Sequence, residues 1–139
     1  MATIKSYTDI EQSKKLVEIL PLESADMYYQ YVLPKSDKIK HNPEIGNPVN
    51  TLKWYNKGYI MSGKEPVTLD AYCIPCWSLA ALLNVLPDGT DVVKEKVDTE
   101  NERYMCTVGI NNNIISTFAN NPVDAYVEMI IRLNELKLL

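Results

Sequence analysis

The spacing of apolar residues changes along the chain, and each change of period predicts a different element. Ile10, Leu16, Val17 and Leu20 fall on one side of a helix. Thr8-Asp9-Ile10-Glu11 opens it as a capping box, in which the Thr8 hydroxyl takes the Glu11 amide and the Glu11 side chain reaches back. Pro21 stops it, because proline disfavours helical geometry in the residue before it. In "ESADMYYQYVL", Ser24 or Asp26 can cap a short turn, and residues 27–33 carry enough Tyr and Val for a strand that Pro34 closes.

Residues 75–86 read as the central helix, with Pro75 at its first position, where the missing amide hydrogen would have had no partner. Leu79, Leu82, Leu83 and Leu86 recur at i, i+3, i+4 and i+7, while Trp77, Ala81 and Val85 line a second face. Two apolar faces predict a helix covered on both. Pro87-Asp88-Gly89 ends it as a turn, and the charged stretch that follows has room for a short strand at its start. The period then falls to two: Tyr104, Cys106, Val108 and Ile110 alternate with Met105, Thr107 and Gly109. Asn111 to 113 tolerate positive φ, and residues 114–118 return as the second strand of a hairpin. Asn121 caps a last helix with Pro122 at its first position and Asp124 in its first turn. Tyr126, Met129, Ile130, Leu133 and Leu136 form its apolar stripe.

Between these elements, residues 35–66 contain Pro43, Pro48, Pro66, Gly46, Gly58 and Gly63, which break any long period and make this a loop-rich region. The order of helix, strand, loop, helix, hairpin and helix predicts an α+β fold, with about three helices packed on a small antiparallel sheet. All 139 residues fit one domain, long enough to bury roughly two-thirds of the surface exposed on unfolding.

Composition narrows the function classes. A hydrophobic share of 46% against 23% charged places the chain among globular domains and away from disordered ones. The net charge of −4 gives no electrostatic footprint for nucleic acid, which draws on clustered Lys and Arg. The uncharged runs 71–87 and 104–123 are interrupted by Pro75 and by Asn, so they read as core and not as membrane spans. The N-terminal "MATIKSYTDIEQSKK" lacks an apolar signal stretch, and a cytoplasmic location with reduced thiols is expected.

Three chemistries can be weighed on named residues. Cys73-Ile74-Pro75-Cys76 has the spacing of a thiol-disulfide pair, Cys73 as nucleophile and Cys76 as resolving thiol. The upstream "KEPVTLDAY" is not the buried strand such a site needs, and Asp70 would raise a nearby thiol pKa. Cys73, Cys76, Cys106 and the lone His41 are a conceivable zinc set, but structural zinc brings two compact ligand pairs and only one is present. No phosphate-binding glycine loop, dinucleotide fingerprint or zinc-protease motif occurs, and no cofactor is expected. Finally, Lys53, Trp54, Tyr55, Lys57 and Tyr59 interleave cations with aromatics. Such a surface suits an interface anchor or self-association better than nucleic acid in a chain of this charge.

"QSKKLVEILPLESADMYY", "IPCWSLAALLNVLP" and "NNPVDAYVEMIIRLNELKLL", a little over a third of the chain, resemble a family of short uncharacterised proteins encoded by phages and prophages of gut bacteria. The resemblance carries no activity, ligand or catalytic residue. It implies an accessory protein working in the cytoplasm of an infected cell. The expectation is therefore a non-catalytic protein that binds a macromolecule, such as a host defence component, or a small ligand. The thiol-disulfide enzyme is the alternative.

Overall fold

The computed structural model describes residues 5–32, 44–45, 47–50, 53–55, 59–62, 65–68, 73–96, 98 and 102–139. In chain order these form α1 (Ile10–Val17), a 3-10 turn (Leu22–Ser24), β1 (Met27–Val32), β2 (Glu44–Ile45), β3 (Val49–Asn50) and β4 (Lys53–Tyr55). There follow β5 (Tyr59–Ser62), β6 (Glu65–Thr68), β7 (Cys73–Cys76), α2 (Leu79–Val85), β8 (Asp91–Lys96), β9 (Glu102–Ile110), β10 (Asn113–Ala119) and α3 (Pro122–Glu135). The fold is α+β, as the periodicity predicts, with all strand pairs antiparallel.

The sheet of order β10-β9-β8 organises the core. Cys106 and Val108 of β9 are buried on its inner face, and Val92, Tyr104, Ile110, Ile115 and Ala119 pack around them. Onto this face α3 lays Val123, Tyr126, Val127, Met129, Ile130 and Leu133, while α1 adds Leu16 and α2 adds Leu82. Alternation along the strands leaves Val93, Met105 and Phe118 in one row on the other face, since Val93 pairs with Met105 and Met105 with Phe118. The β9–β10 turn has Asn111 and Asn112 at φ 51° and 66°, the paired left-handed conformation that suits a two-residue hairpin and that asparagine tolerates.

A second sheet centres on β1, which pairs with β7 and β3 along its first residues and with β2 at Tyr31 and Val32. Its small core holds Tyr29, Ile74 and Cys76, with Tyr7, Ile10 and Met27 against it. A third sheet has the order β4-β5-β6. Residues 35–66, expected as loop-rich, thus carry short strands among their described positions.

Three local expectations are corrected. The capping box of α1 is formed by Asp9 and Gln12, one residue later than Thr8 and Glu11, because Thr8 is wholly buried and bonded elsewhere. Cys73–Cys76 is a strand and not a helix start: the helix begins at Leu79 with Ser78 as its N-cap. The sequence held both signals, since proline pushes Ile74 toward extended geometry and Ser78 stands directly before the Leu79 period. Among the described residues β7 is an edge strand, where a proline costs no central ladder. Lastly, Leu83 is 47% exposed, so α2 is covered on one side only.

Candidate functional site

The cysteine motif is the first place to look for chemistry. Three residues of extended strand separate the Cα atoms of Cys73 and Cys76 by roughly 10 Å. A disulfide bridges about 4.4–6.8 Å, so this backbone does not present the two as an exchanging pair. Cys76 is fully buried, and burial pushes its thiol pKa up; hydrogen bonds with Thr8, Tyr29 and Ser13 pull it back only in part. Cys106 is likewise buried, and burial pushes its pKa to about 11 against a hydrogen bond with Thr117. Reactive thiols have depressed pKa values, and these two move the other way. The Cys73 side chain and His41 lie outside the described residues. Cys76 and Cys106 belong to different core clusters, which separates two of the four ligands in the zinc set.

Around Cys76 lies a buried polar knot. The Thr8 hydroxyl accepts from the Trp77 backbone N–H at 3.1 Å, shares a hydrogen bond with the Ser13 hydroxyl at 2.8 Å, and stands 3.5 Å from the Cys76 sulfur. The Thr8 carbonyl accepts from the Tyr29 hydroxyl at 2.6 Å and from the Cys76 thiol at 3.4 Å. Thr8 N–H donates to the Trp77 carbonyl, and Leu79 N–H to that of Ser6, so residues 6–8 are laced to the start of α2. Burial raises the Tyr29 pKa strongly, with Cys76 adding to it. The knot is closed: among the described residues no buried side-chain nitrogen or oxygen lacks a partner.

Ser78 and Asp26 form a second cluster. Asp26 accepts from both the Ser78 N–H, at 2.9 Å, and the Ser78 hydroxyl, which in turn accepts from Ala81 N–H as the cap of α2. Nearby, the Trp77 indole N–H donates to the Ser24 hydroxyl at 2.9 Å. This serine is occupied as a helix cap, and its neighbouring carboxylate holds the cap in place.

A third cluster joins two helix starts. Lys5 Nζ donates to Asp9 at 3.0 Å, Gln12 at 2.8 Å and Asp124 at 2.8 Å, using all three ammonium hydrogens. Asp124 also accepts from Gln12 Nε2 and Asn121 Nδ2, and Asn121 caps α3 through the Asp124 N–H. Burial pushes the Asp124 pKa up, but the hydrogen bonds from Lys5, Gln12 and Asn121 outweigh it and hold it below 3.8. Burial likewise pulls Lys5 down, and its bonds to Asp124 and Asp9 carry it above 10.5.

In contrast to these closed clusters, a groove of about 580 Å³ opens between β10 and α3. Residues 114–117 form one wall, and Glu128, Ile131, Arg132, Glu135 and Leu136 the other. Four consecutive strand residues line a groove only where the strand offers its edge, and among the described residues β10 pairs on one side alone. Glu128, Arg132 and Glu135 take part in none of the ion pairs among the described residues. Glu128 reads in sequence as a plain solvent-facing charge. The signal that could have marked this wall is the absence of charge in the neighbouring strand.

Of the expected contact residues, Lys53, Trp54 and Tyr55 lie in β4 and Tyr59 in β5, in register with Lys53 opposite Met61, Trp54 opposite Ile60 and Tyr55 opposite Tyr59. Their side chains, and Lys57 altogether, lie outside the described residues. Backbone pairing thus brings four of the five positions onto one hairpin. Among the described residues no helix is long and apolar enough to cross a membrane. No protein-family model matches the chain, and no curated protein or solved structure matches it either.

Proposed function

We propose that this is a non-catalytic binding protein, a phage or prophage accessory protein that engages a macromolecule of the host cell. One observation carries the reading: the Thr8 and Ser78 hydroxyls and the Cys76 thiol, the groups best placed for chemistry beside the cysteine motif, are closed onto a helix cap and core partners. Such a chain acts through its surface. The β4–β5 hairpin bearing Lys53, Trp54, Tyr55 and Tyr59 supplies the contact, since aromatics beside cations are common anchors. A defence component of the infected cell is the partner this setting suggests.

The test is affinity capture from lysate of a gut bacterium, with wild type compared against the Trp54→Ala/Tyr55→Ala/Tyr59→Ala variant, each first shown folded by circular dichroism. A stoichiometric partner held by wild type and lost by the variant supports the reading. Capture of nothing stoichiometric, or equal capture by both, counts against it.

A further inference from the structure

The two edges of the β10-β9-β8 sheet are built differently. Strand β8 reads Asp-Val-Val-Lys-Glu-Lys, and four of its six residues are charged. That is how soluble proteins blunt an edge against pairing with another chain. Strand β10 reads Asn-Ile-Ile-Ser-Thr-Phe-Ala, with neither a charge nor a proline in seven residues. Its outward-facing Ile114 is 77% exposed and Phe118 47%. An apolar edge that is unpaired among the described residues, beside an open groove, is a template for one more strand.

We propose that this strand is β10 of a second copy, paired antiparallel about a twofold axis through Ser116. The sequence is self-complementary in that register. Ile114 falls opposite Phe118 of the second copy, Ile115 opposite Thr117, and Ser116 opposite itself. Each exposed isoleucine thereby gains an aromatic partner across the ladder, twice per dimer, and such pairs stabilise sheets.

Thr117 donates to the Ala125 carbonyl at 2.8 Å and holds β10 against the first turns of α3, so the strand that would receive the second copy is fixed in place.

The assembly also stops at two. Joining the β10 edges gives a six-stranded sheet whose remaining edges are both β8, and the charges on β8 oppose further addition. The interface is separate from the β4–β5 hairpin, so it stands or falls independently of the partner proposed there.

Sedimentation equilibrium on the purified full chain tests this. Wild type should be a dimer in concentration-dependent balance with monomer. Ile114→Lys, which copies the protection of β8, should shift the balance to monomer. Phe118→Ser, which removes the aromatic partner each Ile114 gains, should shift it the same way. Both variants are first shown folded by circular dichroism, so that a loss of dimer is not a loss of fold. A wild type that stays monomeric at every concentration overturns the proposal. So does a dimer indifferent to Ile114→Lys and Phe118→Ser, or an assembly that grows beyond two.

Discussion

Thr8→Val isolates what the buried knot contributes, because valine keeps the shape of threonine and removes only the hydroxyl. Thr8 is fully buried, and its hydroxyl serves the Trp77 N–H at 3.1 Å and the Ser13 hydroxyl at 2.8 Å. Removing it orphans the Trp77 amide, at a cost of about 1–3 kcal/mol for a buried unpaired donor. Ser13 loses its main partner and keeps only its weaker bond to the Cys76 sulfur, adding about 1 kcal/mol. The extra buried methyl offsets roughly 0.8 kcal/mol. The net loss is about 2 kcal/mol, a large fraction of the stability of a small domain. In urea, with a slope of about 2 kcal/mol per M, the midpoint should fall by about 1 M at unchanged slope.

Two controls fix the cause. Thr8→Ser keeps the hydroxyl and loses one methyl, so it should cost about 1 kcal/mol. In the double variant Thr8→Val/Ser13→Ala the hydroxyl that valine orphans is itself gone, and the loss should be smaller than the sum of the two single losses by about 1 kcal/mol. The reasoning is refuted if Thr8→Val unfolds at the wild-type midpoint, or if Thr8→Ser is the more damaging change.

Acid should weaken the fold partly through Asp124, whose folded pKa lies below its ordinary 3.8. Its contribution is fully present above that ordinary value and is lost as pH falls through the depressed one. Urea midpoints measured from pH 6 downward should therefore show a shallower acid loss in Asp124→Asn than in wild type, and equal slopes would contradict the assignment. Alkylation followed by peptide mass spectrometry should find Cys76 and Cys106 slow to react until denaturant is added, as burial and raised pKa require; fast native labelling of either would contradict its placement. Lys137 ends α3 at φ 58°, with Leu138 N–H bonded back to the Leu133 carbonyl at 2.8 Å, a position glycine occupies without strain. Lys137→Gly should stabilise the protein by about 0.5–1 kcal/mol in thermal or urea unfolding, and a loss of stability would count against that geometry.

What the sequence revealed depended on how local the cause was. The last hairpin and α3 were legible because the period of two, the positive-φ asparagines and the Asn121 cap all act within a few residues of one another. At residues 73–76 the local signals conflict: Pro75 suits a first helical position, yet it also pushes Ile74 toward extended geometry, and pairing with β1, more than forty residues earlier, decides for a strand. At Thr8 the deciding partner is also remote: a threonine before a helix looks like a cap until Trp77 takes its hydroxyl. The groove was invisible in sequence because it depends on which strand ends the sheet. Once the order β10-β9-β8 is known, the contrast between "DVVKEK" and "NIISTFA" becomes readable.

The ammonium of Lys5 that ties α1 to α3 has a bearing on how the protein is made. Its partner Asp124 lies 119 positions further along, and Thr8 waits 68 positions for Cys76. During synthesis the first turn of α1 therefore emerges long before the groups that fix it exist. Local helices can flicker early, but the Thr8 closure must await Cys76 and Trp77, and the Lys5 closure must await α3. A ribosome paused between α2 and α3 would hold a nascent chain whose Thr8 can be fastened while Lys5 still lacks Asp124. In this protein the segment around Lys5 is made well before α3 and is among the last to be locked.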